Sequence, residues 1–158
     1  IIGYGRIGRR VGALLRVFGA ELLVYDPYVD AASLTDGERM TSLHEGLAEA
    51  AVITLHAAGE DCILGPDEFS RIRPGAVLLN SARGGLVDEA ALVNALESGT
   101  LAGVWFDAFW QEPYNGPLTR FPQAVLTPHI ATYTRQCRKD MESTAVRNLL
   151  RDLGMASP

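Results

Sequence analysis

Long hydrophobic runs, clusters of basic residues and patterned cysteines are all missing from this 158-residue chain. No apolar stretch approaches the roughly 18 residues of a membrane-spanning helix, so a membrane partner is not expected. Lys and Arg number 14 against 19 Asp and Glu, a net charge of −5, and the cations are scattered. That leaves no basic footprint for a nucleic-acid backbone. The two cysteines, Cys62 and Cys137, are far apart and in no metal-like spacing. A disulfide framework and a zinc site are therefore not indicated, no metal ligands are assigned, and reduced thiols in a cytoplasmic protein are the expectation. The first residues, Ile1-Ile2-Gly3-Tyr4-Gly5, contain no initiator Met, basic n-region or cleavage site, and open directly in a strand-like pair. A segment before them, and a truncated first strand, are expected. What is present is ordinary for one globular domain: 47% hydrophobic and 21% charged residues.

Short apolar runs alternate with helix-period segments, the pattern of a parallel sheet covered by helices. After the strand at Ile1-Ile2, a helix is predicted from about Arg6 to Phe18, with Ile7, Val11, Leu14, Leu15 and Phe18 on one face and Gly19 as a stop. Further strands are predicted at Glu21–Tyr25, Ala51–His56, Ala76–Asn80, Ala102–Phe106 and Ala124–Leu126. Residues 29–41 read as a polar connection. Short helices are expected near Leu43–Ala48 and after Pro66, then one capped by Asp88 and running to Glu97. A last amphipathic helix, about Gln136 to Leu153, carries Met141, Ala145, Leu149 and Leu153 four residues apart. The expected architecture is α/β, a Rossmann-type doubly wound parallel sheet in three αβα layers.

Gly3-Tyr4-Gly5-Arg6-Ile7-Gly8 has G-x-G-x-x-G spacing between a strand and a strongly periodic helix, the context that gives this motif its meaning. The first glycine permits the tight turn, the second lets backbone approach a pyrophosphate, and the third lets helix and strand pack closely. Free N–H groups at the helix start then face the anion. Asp26 ends the second strand 18 residues after Gly8, where an acid bonds a ribose hydroxyl and repels a 2′-phosphate. NAD is thereby favoured over NADP.

Arg83, in Asn80-Ser81-Ala82-Arg83-Gly84-Gly85, follows the fourth strand and should project at the carboxyl edge of the sheet, where open α/β folds bind ligands. Its planar, permanently charged fork suits a substrate carboxylate. The strands ending at Phe106 and Leu126 run into Asp107 to Pro113 and into Thr127-Pro128-His129, at the same edge. Of the three histidines, His44 reads as a solvated surface residue, while His56 either lines a cofactor cleft or packs beside it. His129 is the one placed for acid/base work. A carboxylate beside an imidazole fixes its tautomer and orientation. Glu112 is either that partner for His129 or an exposed loop acid.

These residues together make the chain resemble the NAD-binding domain of the D-isomer-specific 2-hydroxyacid dehydrogenases, in particular their D-3-phosphoglycerate dehydrogenase-like branch. The likeness rests on Gly3 to Gly8, Asp26-Pro27, Asn80 to Gly84 with Val87-Asp88-Glu89, Asp107 with Glu112-Pro113, and Thr127-Pro128-His129-Ile130. It implies NAD-dependent oxidation or reduction at C2 of a D-2-hydroxy or 2-keto acid, 3-phosphoglycerate among the candidates, with Arg83 holding the substrate, His129 as general acid/base and Glu112 as its partner. The cofactor contacts expected from motif and resemblance together are Gly3, Tyr4, Gly5, Arg6, Ile7, Gly8, Asp26, Pro27, His56, Ser81, Ala82, Arg83, Asp107 and His129. A homodimer through this domain is also implied. The chain departs from the family at Ala57 to Asp61, where members carry a proline-containing stretch, and at Ala131-Thr132-Tyr133, where many have glycines.

Residues 1–133 are expected to form the NAD-binding domain, and residues 134–158 a helix that packs on a substrate domain built from sequence preceding Ile1. Two other readings stay open: an NAD(H)-sensing binding module of corepressor type, and a fragment that binds NAD and catalyses nothing because the cleft needs a second wall.

Overall fold

The computed structural model describes residues 1–155, so the last three positions of the predicted 134–158 segment lie outside the described residues. The chain divides into two compact units, Ile1–Pro128 and the segment from His129 onward. In the first, all strand pairs are parallel. β1 (Leu22–Val24) pairs with β2 (Glu38–Met40), and β3 (Val52–Leu55), β4 (Ala76–Asn80), β5 (Leu101–Phe106) and β6 (Ala124–Leu126) pair in that order. Ile2 joins the two sets, bridging Tyr25 on one side and Leu55 on the other. The order across the sheet is thus β2, β1, Ile2, β3, β4, β5, β6, the doubly wound arrangement whose direction reverses beside the first strand. The reversal point lies between Ile2 and β3, where ligands bind in such sheets.

Helices α2 (Leu43–Glu49), α3 (Pro66–Arg71) and α4 (Glu89–Glu97) accompany these strands. The core holds Leu55, Leu78, Leu92, Leu101, Phe106 and Leu118, all essentially without exposed surface. β4 is buried at alternate positions and half-buried between, as a strand covered on both faces requires. Asp88 caps α4, its Oδ1 accepting the Ala91 N–H at 2.7 Å. Replacing it with alanine orphans that donor, and Asp88→Ala should cost about 1 kcal/mol, read as a lower denaturant midpoint at unchanged slope. An unshifted midpoint would remove the cap from the account.

Two sequence expectations are corrected. Residues 29–41 are not merely a connection, since they contain a short 3₁₀ turn, Ala31–Ser33, and the edge strand β2. Glu-Arg-Met has no apolar alternation to announce a strand, because an edge strand paired only with β1 buries little. Helix α1 (Arg6–Val17) is where it was expected, but of its apolar stripe only Val11 and Leu15 are half-buried. Ile7, Leu14 and Phe18 are 63%, 65% and 86% exposed, and the buried positions are Gly8 and Gly12. A Cβ on Gly12 would stand 2.9 Å from the Tyr4 hydroxyl. The helix lies so close to the sheet that only glycine fits between them.

In the second unit, α5 (Arg135–Asp152) is capped by Thr134, whose hydroxyl accepts the Cys137 N–H at 3.1 Å. None of its residues is buried. No helix among the described residues is long and apolar enough to cross a membrane.

Candidate functional site

The glycine turn is built as the motif requires. Gly3 has φ +87°, and its N–H donates to the Tyr25 carbonyl at 2.9 Å. A Cβ on Gly3 would fall 2.4 Å from the Ala57 nitrogen, and one on Gly8 would fall 2.2 Å from the Gly3 oxygen. A Cβ on Gly5 would meet nothing within 4 Å. Gly3 and Gly8 are therefore glycine for packing, and Gly5 for open space on the ligand side. Gly5 is also the N-cap of α1, where no side chain caps the helix and no acid stands in the first turn. Uncapped N–H groups at that end suit an anion, so the turn fits a dinucleotide pyrophosphate.

Seven predicted contacts, Gly3, Gly5, Arg6, Ile7, Asp26, Pro27 and His56, line one cleft of about 860 Å³, with Arg10, Tyr28, Ala57 and Asp61 among its other walls. Gly8 and Tyr4, also predicted contacts, are buried and do not line it. The Tyr4 ring is 1% exposed and its hydroxyl donates to Glu38 Oε1 at 2.5 Å. Burial, then the bond to Glu38, pushes that phenol up to about 12. Burial pushes the Glu38 carboxyl upward, but bonds from Thr35 and Tyr4 and the charge of Arg16 outweigh it and hold the group below its ordinary value. Asp26, half-buried, accepts from the Tyr4 N–H at 2.7 Å and from the Tyr28 N–H at 2.9 Å. His56 Nε2 lies 3.0 Å from the Thr54 hydroxyl, and burial lowers its pKa.

A second group gathers at the carboxyl ends of β4 and β5. Asn80, fully buried, donates from Nδ2 to the Arg83 carbonyl at 2.8 Å and accepts the Ala82 N–H at 2.9 Å. That side chain shapes the Ser81–Arg83 loop. Gly84 sits so tightly on the next loop that a Cβ would come within 2.3 Å of the Phe109 carbonyl carbon. Glu112 Oε1 in turn accepts the Phe109 N–H at 3.1 Å, so the loops bearing Arg83 and Glu112 meet backbone to backbone. Arg83 is exposed, Nη1 donating to the Ala82 carbonyl at 2.8 Å. Asp107 is buried and accepts the Thr127 hydroxyl at 2.6 Å. His129 begins the second unit, exposed, with φ +53°, a conformation uncommon outside glycine. His44 is exposed on α2, its Nε2 3.3 Å from Glu68 Oε1 on α3.

The model of the D-isomer specific 2-hydroxyacid dehydrogenase NAD-binding domain matches residues 1–131. The chain belongs to that family. It is 35% identical over 154 residues to a hydroxypyruvate reductase of Blautia hydrogenotrophica, covering 94% of this chain and 48% of that protein. It is 36% identical over 159 residues to the D-3-phosphoglycerate dehydrogenase of Mycobacterium leprae, covering 96% and 29%. Among solved structures, a glyoxylate reductase from Paecilomyes thermophila superposes with a TM-score of 0.88 at 39% identity, covering 94% of this chain and 46% of that one. A D-lactate dehydrogenase from Aquifex aeolicus, solved with NAD and lactic acid, gives 0.86 at 29% identity, covering 97% and 52%. The chain spans about half or less of the length of these curated relatives.

For this NAD-binding domain, the sequence assigned no role to Asn80, Glu38 or Arg10. Asn80 carried a readable signal, an asparagine between a buried strand and a loop, where its amide bonds backbone two residues on. Glu38 carried none, because its partner Tyr4 is 34 residues away.

Proposed function

We propose that the intact enzyme interconverts a D-2-hydroxy acid and its 2-keto acid with NAD. When bound, the nicotinamide supplies the hydride acceptor or donor for C2. Arg83 holds the substrate carboxylate through paired charged hydrogen bonds. Neutral His129 takes the hydroxyl proton during oxidation, and its imidazolium returns a proton to the carbonyl oxygen during reduction. Glu112 orients the imidazole, and Asp107 stands near the nicotinamide end of the cofactor. Asp26 reads the adenosine ribose and disfavours a 2′-phosphate.

The observation that carries this reading is the packing of the Arg83 loop against the Glu112 loop through Gly84, at the carboxyl edge of an NAD-binding sheet. Catalytic groups need such rigid support to hold substrate in line for transfer. Small 2-hydroxy and 2-keto acids are the substrate class, hydroxypyruvate, glyoxylate and D-3-phosphoglycerate first, since enzymes named for these acids are its relatives. A homodimer through this domain accompanies the proposal, and the exposed Leu14, Val17 and Phe18 on and just beyond α1 suit it.

A panel of 2-keto acids with NADH and the intact enzyme tests the reading. Consumption of NADH with at least one is expected. NADH binding with no turnover on any would favour an NAD-sensing binding module instead.

A further inference from the structure

Asp26 has a place in the sheet that suits ribose recognition, yet both its oxygens already hold backbone. Oδ2 accepts the N–H of Tyr4, the residue between the first two glycines of the turn, and Oδ1 accepts the N–H of Tyr28. Tyr4 is 1% exposed, so without Asp26 its N–H would be a buried donor lacking this acceptor. The other end of Tyr4 is fixed independently, by its hydroxyl on Glu38, a carboxylate bonded in turn by the Thr35 N–H at 3.0 Å. The turn thus runs from Gly3, in the left-handed region, through a peptide held by Asp26, to Gly5 at the start of α1.

We propose that Asp26 is a positioning residue for the glycine turn, holding the Tyr4 peptide so that the N-terminus of α1 faces the dinucleotide, in addition to any contact with the ribose. The proposal rests on the dinucleotide reading of the cleft. It has a consequence that ribose reading alone does not have. Removing Asp26 relieves repulsion of a 2′-phosphate but also loosens the turn that both dinucleotides need. The affinity gained for a 2′-phosphate is then offset by a loss that both dinucleotides share.

The test uses the intact enzyme as wild type, Asp26→Ala and Asp26→Asn. NADH and NADPH are titrated by fluorescence, and deuterium uptake is followed in the peptide spanning Ile2 to Ile7. Asp26→Ala should weaken NADH at least about tenfold, the scale of one lost charge-assisted hydrogen bond, and speed uptake in that peptide of the dinucleotide-free enzyme. Should Asp26→Ala fail to fold, the near-isosteric Asp26→Asn keeps a single uncharged acceptor for the two N–H groups, and the same readouts should shift in the same direction by less. Uptake unchanged in that peptide of the folded, dinucleotide-free variant overturns the proposal, whatever NADPH affinity does. Wild type that binds no NADH would instead refute the dinucleotide reading itself.

Discussion

Substituting His129→Ala in the intact enzyme should lower kcat by about 10²–10⁴, the usual contribution of a positioned acid/base group, while NADH affinity stays close to wild type. The two effects separate because the cleft around Gly3, Gly5 and Asp26 belongs to the first unit, built from elements other than the one that carries His129. Fluorescence titration with NADH and steady-state turnover of one keto acid measure them on the same preparation. Glu112→Gln should fall between wild type and His129→Ala, because an amide can still accept a hydrogen bond but lacks the charge that stabilises an imidazolium. Turnover retained in His129→Ala would remove that residue from the mechanism, whatever the cofactor does.

The second large effect is expected at the glycines, and its value lies in a contrast. Gly8→Ala puts a methyl group 2.2 Å from the Gly3 carbonyl oxygen, which is backbone and cannot swing aside. The turn must shift, at a cost of about 1–3 kcal/mol in stability, and NADH affinity should fall at least tenfold with it. Gly5→Ala meets no protein atom within 4 Å, and its backbone, φ −75° and ψ −154°, is open to alanine. Stability should therefore hold at Gly5 while NADH binding weakens, because the added methyl occupies the space that a pyrophosphate needs. Thermal melts with and without NADH separate the two cases. Equal loss of melting temperature in both apo variants would contradict the division of roles between the glycines.

Most of the sheet was legible because its strands are short apolar runs punctuated by turn residues. Ala76–Asn80 and Ala124–Leu126 fall where the pattern puts them, and Asp88 caps its helix as read. Periodicity was a poor guide at α1, where Ile7, Leu14 and Phe18 of the apolar stripe are exposed and the fully buried positions are two glycines. A hydrophobic face reports what can be buried, not what is, and close backbone approach takes precedence at a ligand-binding turn. β2 escaped because an edge strand tolerates charge, and Glu38 uses that charge inward on Tyr4. Seven of the residues around the cleft at the glycine turn could be named from sequence, since the motif is local. What joins Asp26 to Tyr4, or Gly84 to Phe109, is a contact across 22 or 25 residues, which spacing does not announce.

The most direct test of the central claim is the handedness of the product. The intact enzyme is given NADH and the 2-keto acid that it reduces fastest, and the hydroxy acid formed is resolved on a chiral column. The account predicts the D enantiomer. Formation of the L enantiomer, or NADH consumption with no 2-hydroxy acid formed, would contradict it.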